Sequence, residues 1–545
     1  MDTDYTSWSN TDLVKRVSEL EAQLRRQNAT HGSSRTSSTP PKRKPKKEPK
    51  KFDASRYHTR LIALKFAYLG GNYNGFEHHA NNTTPLPTIE EELWRAMRKV
   101  KLIFPEHKPG QSEEDVCWDG IDYSKCGRTD RGVSAFGQVI GVRLRSARPR
   151  RKMKEEENKV PNEVSAGAES QGADSPMPDA SEETTAEPEF DPIRDELPYI
   201  QLINRVLPSD IRILAWCPDP GEDFSARFNC KERRYRYFFT NPAYTPLPGS
   251  KPADESGRPG EGYLDIEAMN AAAKKYEGLH DFRNLCKVDP SKQITNWERR
   301  IFHAGIHEVD PHHFAVSHGV SPKLYYFEVR GSAFLWHQVR HLVAVLFLVG
   351  QGYEQPSVVD DLLDVQKTPG KPHYEMASDV PLVLWDCIFP KAEEIMNVDH
   401  ASNGEATASG YHDAMNWIHI GDEVGGREQA KRSIAGVEDG KHGRNGIMDE
   451  LWGLWRQHKM DEVLAWSLMG VVSAQGKQPL LNGNGSTSAE RSARVFDGSA
   501  VPRAVGTYIP IAKREQMETP DVVNARYAAR KGLVGRAARN GDVDE

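Results

Sequence analysis

Cysteine is scarce in this 545-residue chain: six residues, at 117, 126, 217, 230, 286 and 387, with no Cys-x-x-Cys pair among them. Such spacing argues against a metal site and against a disulfide framework, and it fits a reducing compartment. No glycine-rich phosphate cradle or dinucleotide fingerprint opens a helix, so nothing points to a nucleotide cofactor, and a reaction that needs no cofactor fits these absences. Long apolar runs are also missing. The longest near the middle, Leu342 to Gly350, is too short to span a bilayer and reads as a buried helix, so no membrane partner is expected. The N-terminal residues are polar and acidic, unlike a secretory leader.

A large charge of one sign is lacking as well, since the formal net charge is −6. That figure conceals two opposed blocks. Residues 155–196 hold fourteen acidic side chains against Lys159 and Arg194, a net −12, while residues 42–51 hold seven basic ones against Glu48, a net +6. The remainder is close to neutral, so any face for nucleic acid must be a local patch. At this length more than one compact unit is expected, and 37% hydrophobic with 28% charged residues suits a soluble chain with considerable disorder.

Leu13, Val17, Leu20 and Leu24 follow the four-three-four spacing of a short amphipathic helix, too short for a firm coiled coil, which leaves a homodimer open. The Ser-, Pro- and Lys-rich residues 28–51 predict disorder. Within them Pro41-Lys42-Arg43-Lys44-Pro45-Lys46-Lys47 is either a nuclear import stretch or a solvated basic tail that raises affinity for phosphates; residence in nucleus and cytoplasm is expected. Order begins near Tyr57 with a strand apolar on both faces, Leu61 to Tyr68, entering the turn Gly70–Phe76. Thr88 and Glu91 predict a capping box ahead of Leu93 and Met97. Five boundaries result: a disordered N-terminal region with its helix and basic stretch (1–56), a first folded half (57–146), a disordered acidic insertion (147–197), a second folded half (198–390), and a partly helical extension (391–545). Strands alternate with helices and long loops, which predicts an α+β fold.

The chemistry concentrates in Lys125-Cys126-Gly127-Arg128-Thr129-Asp130-Arg131-Gly132-Val133-Ser134-Ala135. Asp130 lies between two guanidinium groups in a turn, just before the alternating segment Val139–Leu144. Neighbouring cations favour the ionised form that a nucleophilic carboxylate needs. Read locally, the same residues also make an ordinary Asp-x-Gly turn. A second stretch, Phe224–Phe228 followed by Arg233-Arg234-Tyr235-Arg236-Tyr237, interleaves rings and guanidiniums as a nucleic-acid surface does; strand geometry puts Tyr235 and Tyr237 on one face and arginines on the other. The alternative is an amphipathic strand whose tyrosines fill the core.

The string Gly127-Arg128-Thr129-Asp130-Arg131-Gly132-Val133 resembles the active-site motif of the TruA-type tRNA pseudouridine synthases. The resemblance extends over roughly residues 57–390, through Arg233–Tyr237, Gly331–Arg340 and Pro381–Cys387. It implies two related halves, each like an RNA-recognition motif, sharing a mixed, mainly antiparallel sheet with a central catalytic cleft. It implies that Asp130 is the nucleophile, attacking C1′ or C6 so that uracil detaches, turns and rejoins its ribose through carbon. Tyr235 would stack on the flipped base and Arg340 would pair with Asp130, while His337 is expected to be a packing residue. Ser134–Ile140, Asn204–Pro208, His280–Lys287 and Tyr508–Arg514 resemble a eukaryotic branch acting at positions 38 and 39 of the anticodon arm. Arg131 stands where that branch usually has lysine. A synthase with other target positions is the alternative. A non-catalytic tRNA-binding or chaperone protein is the lesser one, because binding alone does not require a carboxylate facing phosphate. Residues 391–445 and 474–500 carry no resemblance.

Overall fold

The computed structural model describes residues 53–79, 84–149, 190–246, 251–309, 322–395, 410–422, 440–442, 446–475 and 493–532. The chain divides into a unit of residues 1–54 and one of residues 55–545, and the fold is that of the second. The Leu13–Leu24 heptads, the basic stretch and most of the acidic insertion lie outside the described residues.

A large sheet runs through the molecule. Strand β1 (Tyr57–Tyr68) pairs antiparallel with β3 (Ser134–Pro149) on one side and β4 (Ile211–Cys217) on the other. Ile62, Leu64, Phe66 and Tyr68 bury one face of β1 completely, and Ala63 is buried on the other, where Lys65 is partly exposed and pairs with Asp386 at 2.6 Å. Strand β2 (Ser124–Lys125) adds to β3, and β10 (Ile418–His419) edges β4. The other side comprises β5 (Glu232–Asn241), β6 (Gly278–Asp281), β7 (Glu298–Glu308), β8 (Lys323–Gly331) and β9 (Leu382–Ile388), in the order β9-β5-β8-β7-β6. Every pairing is antiparallel except the join between the two sides, where Ser134 and Ala135 of β3 run parallel to Val383 and Leu384 of β9. The fold is therefore α+β with a mainly antiparallel sheet.

Helix α1 (Ile89–Lys99) begins at the expected capping box: Thr88 accepts from the Glu91 backbone, and the Glu91 side chain accepts from the Thr88 backbone. Its face with Leu93, Trp94 and Met97 joins α2 (Tyr199–Asn204) in a core with Phe66, Ile140 and Trp216. A second core gathers α3 (Ile266–Lys274), α4 (Gln338–Gly350) and α5 (Val358–Leu363) on β5 and β8, with Tyr237, Phe327, Phe347 and Leu346 at its centre. In α4 every residue except Arg340 is buried, as its apolar run requires.

The described rims of the insertion are well fastened. Glu196 accepts from the Ser146 hydroxyl and the Ala147 N–H, both at 2.6 Å, and faces Arg60 at 3.3 Å. Beyond the sheet, α6 (Ile447–Ser473) buries only Ile447 and exposes Trp452, Trp455, Leu464 and Leu468; Arg212 holds its first turn through Glu450 at 2.9 Å. Helix α7 (Pro520–Lys531) docks through buried Asn524, which donates to the Ile294 carbonyl at 3.0 Å. Among the described residues no helix is long and apolar enough to cross a membrane.

Candidate active site

The turn that carries Asp130 is fixed from three directions. Below it, the fully buried Gln138 brackets Gly127, accepting from its N–H at 3.3 Å and donating to its carbonyl at 2.9 Å. Beside it, the Tyr68 and Thr129 hydroxyls share a bond of 2.7 Å, and the Thr129 carbonyl accepts from Phe76 N–H at 3.0 Å. Val133 N–H closes the turn on the Asp130 carbonyl at 3.2 Å, with Gly132 at φ 82°. Gly70 lies so close that a Cβ there would stand 2.1 Å from the Val133 carbonyl oxygen. A reactive side chain on so rigid a support keeps its aim.

Asp130 projects into a cleft of about 530 Å³ lined by residues from both sides of the sheet, among them Tyr235, Phe334, His337 and Arg340. Lys125, Arg128, Arg131, Arg227, Arg233 and Lys292 also line it, against Glu77, Asp130 and Asp289. This is the local basic patch that a near-neutral core needs in order to hold a phosphate backbone. Glu77 draws two of these cations together. Glu77 accepts from Lys125 at 2.9 Å and from Arg128 at 3.0 Å. Burial works against the Glu77 charge, but those two partners bring its carboxyl below the usual value.

Arg233 runs back beneath the turn that carries Asp130. Its guanidinium donates to the carbonyls of Ser332 at 2.8 Å, Cys126 at 3.0 Å and Arg227 at 3.2 Å, tying three loops to one side chain. It shares the cleft with Tyr235, so the expected division of tyrosines from arginines holds for Arg234 and Arg236 but not for Arg233. Tyr235 meets Phe334 edge to face at 5.1 Å and burial pushes its hydroxyl up. Tyr237, two residues on, is wholly buried against Phe347. One tyrosine belongs to the cleft and the other to the core.

The expected ion pair between Arg340 and Asp130 is not what this structure forms. Arg340 lines the cleft, but its Nε donates to the Ala377 carbonyl at 2.7 Å, drawing the guanidinium towards that loop. The side chain that meets Asp130 is His337, whose Nε2 lies 3.2 Å from Oδ2, within ion-pair distance for a protonated ring. His337 caps α4 in the left-handed region, at φ 58° and ψ 13°. A non-glycine residue there carries strain of about 1 kcal/mol, which the surroundings must hold in place. The sequence offered no sign of this beyond a histidine at a helix start.

Comparison with known proteins bears on the same residues. A family model described as tRNA pseudouridine synthase matches residues 272–390. Over 541 residues the chain is 34% identical to the tRNA pseudouridine(38/39) synthase of Saccharomyces cerevisiae, covering 97% of this chain and 93% of that protein. The Homo sapiens protein of the same name is 39% identical over 395 residues, 70% of this chain and 67% of that one. An archaeal relative, tRNA pseudouridine synthase A of Methanothrix thermoacetophila, is 28% identical over 314 residues, 57% of this chain and 76% of that one.

The chain belongs to the TruA-type tRNA pseudouridine synthases. It is therefore an isomerase acting on tRNA, and the cleft with Asp130 at its floor is where such chemistry can be housed. Strand pairing alone accounts for the meeting of distant motifs. The parallel join of β3 to β9 and the antiparallel pairings of β9 with β5 and of β5 with β8 bring Asp130, Tyr235 and the start of α4 together. The same pairings gather Cys126, Cys230 and Cys387, whose sulfurs lie within 4.8 Å of one another although no two are close in sequence. Burial pushes the Cys126 thiol up, which suits a neutral packing residue.

Proposed function

We propose that this enzyme converts uridine to pseudouridine at positions 38 and 39 of the tRNA anticodon stem-loop, with Asp130 as nucleophile. The observation that carries the reading is a half-buried carboxylate on a rigid turn, paired with His337, at the floor of a cleft whose rim is basic. The names of the yeast and human relatives supply the target positions. Cleft cations bind phosphates and give most of the affinity, which makes binding salt-sensitive. The target uridine leaves the stem, since its glycosidic bond is unreachable inside a stack. Tyr235 stacks on the extruded base while Asp130 attacks. Arg340, on the same wall, contacts the substrate or fills the space the base vacates. The reaction takes no cofactor.

The remaining parts of the proposal follow the same resemblance. The two sides of the sheet, each with its own core, are two halves of the RNA-recognition-motif kind, and residues 391–545 are a C-terminal extension that adds β10 to the first and docks α7 on the second. The basic stretch at 42–51 admits the protein to the nucleus, with residence in the cytoplasm as well. A homodimer is supported by the exposed tryptophans and leucines of α6, and light scattering of wild type against Trp452→Glu/Trp455→Glu tests it.

The deciding experiment measures tritium release from C5 of uridines in an unmodified tRNA with uridines at 38 and 39. Release by wild type, absent in Asp130→Asn and lost when those uridines are replaced, is the expected result. Release from other positions would favour a synthase of different specificity, and release that persists in Asp130→Asn would remove the nucleophile from Asp130.

A further inference from the structure

On the sheet, away from the residues that line the Asp130 cleft, two histidines converge over a glycine. His303, Gly305 and His307 occupy alternate positions of β7 and so share one face. The two Nε2 atoms lie 3.4 Å apart. A Cβ added at Gly305 would sit 3.3 Å from one and 3.4 Å from the other, so the glycine leaves the space between them open. Directly across, in register with Gly305, stands Glu328 of β8, with Oε2 4.0 Å from His307 Nε2. The donor atoms of the three residues all lie within 4.8 Å of one another.

We propose that His303, His307 and Glu328 form a binding site for a transition-metal dication of the zinc class. Two imidazole nitrogens on a tetrahedral zinc, each at about 2.0–2.1 Å, stand about 3.3 Å apart, which is close to the spacing already present. Two imidazoles and one carboxylate are a donor set that zinc-class ions favour over magnesium or calcium. An outer partner is at hand too. His303 Nδ1 faces the Glu277 carboxylate at 3.5 Å, so a ring hydrogen on Nδ1 would point to that carboxylate and leave the Nε2 lone pair for an ion. Glu277 is itself held by the Ala304 N–H at 2.9 Å and by Lys274 at 2.8 Å.

The groups facing the pair have complementary parts. Arg236, at 3.7 Å from Glu328 Oε1, turns the other carboxylate oxygen towards His307, and the Tyr326 ring stacks on His307 at 5.2 Å. The three side chains are 26%, 40% and 16% exposed, so an ion can enter from solvent and keep a water as its fourth ligand. Bound there, it would clamp β7 to β8 near the edge of the sheet, where β7 is flanked only by the four residues of β6.

The test uses the full-length chain, stripped of metal with a chelator and titrated with Co²⁺, then with Zn²⁺. Wild type should take up one equivalent of Co²⁺ with the visible bands of a tetrahedral site, yield it to Zn²⁺, and gain thermal stability with Zn²⁺. His303→Ala and His307→Ala should each weaken binding at least about tenfold, and Glu328→Gln less. Gly305→Ala, which leaves all three ligands intact but fills the space between the nitrogens, should weaken it as well. Tritium release from tRNA by each metal-free variant reports that it has folded. Uptake unchanged in the His303→Ala/His307→Ala double variant, or no uptake by wild type, would overturn the proposal. So would an intense near-ultraviolet thiolate band, which would assign the ion to Cys126, Cys230 and Cys387.

Discussion

His337 Nε2 and Asp130 Oδ2 lie 3.2 Å apart, joining the start of α4 to the catalytic turn across 207 positions of sequence. The imidazole holds the carboxylate in one rotamer, and its own position depends on a strained left-handed backbone. His337→Ala should lower the rate of tritium release about 10- to 100-fold, because a nucleophile free to swing loses its aim. Binding of tRNA should be unchanged, and His337→Gln, which can still donate to Oδ2, should recover part of the rate. Equal loss in both variants would show that ring shape, not the contact, is what matters.

Tyr235 and Tyr237 test whether strand position separates chemistry from packing. The Tyr235 hydroxyl has no hydrogen-bond partner among the described residues, and its ring lines the cleft. Tyr235→Ala should lose the stacking of one base, about 1–3 kcal/mol of binding and transition-state stabilisation. Tyr235→Phe should keep tRNA binding but slow turnover roughly tenfold, the worth of one hydrogen bond to substrate. Tyr237→Phe should leave turnover intact and cost about 1 kcal/mol of stability, since its hydroxyl donates only a long bond to the Asp497 carbonyl. Single-turnover rates beside chemical denaturation separate the two.

Most elements were legible because their periodicity is local. The Thr88–Glu91 capping box forms as written, and the apolar run Leu342–Gly350 lies in α4, Gln338–Gly350, as a buried helix. The catalytic turn was legible because its glycines and its carboxylate are adjacent. What periodicity could not give was strand order, and the site depends on it. Two-residue alternation put Tyr235 and Tyr237 on one face without saying that only the first reaches the cleft. Nothing in Trp336-His337-Gln338 announces a left-handed histidine, and the family resemblance implies Arg340 as the partner of Asp130. His303 and His307 went unnoticed for the opposite reason: spaced by four on a strand, they meet only because position 305 is glycine.

Arg233 makes three bonds to backbone carbonyls from three loops, one of them four residues before Asp130. A lysine keeps the charge but cannot reproduce a planar fork with five donors. Arg233→Lys should therefore leave at least one carbonyl unpaired at about 1–3 kcal/mol each, and should reduce both stability and turnover. Urea unfolding and tritium release measured on one preparation should fall together. A variant with full stability and lost turnover would instead place Arg233 against the substrate.

His341 carries the clearest pH dependence. It is 4% exposed in α4, its Nδ1 bonds the His337 carbonyl, and its Nε2 meets Lys371 Nζ at 2.5 Å. Tyr374 packs edge-on to the ring, and Arg340 and His337 lie on the same helix. Burial, with the Lys371 charge beside it, lowers its pKa from 6.5 to about 3, so the folded protein holds a neutral imidazole. The unfolded chain binds the proton near pH 6.5 and the folded one does not until about pH 3. Stability is therefore complete above pH 6.5 and declines as pH falls through that window, by up to about 1.4 kcal/mol per unit. Lys371, lowered from 10.5 to about 8 chiefly by burial, acts at the other end: the folded state releases its proton first, so stability rises between pH 8 and 10.5. His341→Gln should flatten the acid slope without altering the alkaline one, as read from urea midpoints at about pH 4.5, 5.5, 6.5 and 7.5 for the first and about pH 8, 9 and 10 for the second. An unchanged acid slope in His341→Gln would assign the acid loss to carboxylates such as Glu77, whose lowered pKa acts in the same direction at lower pH.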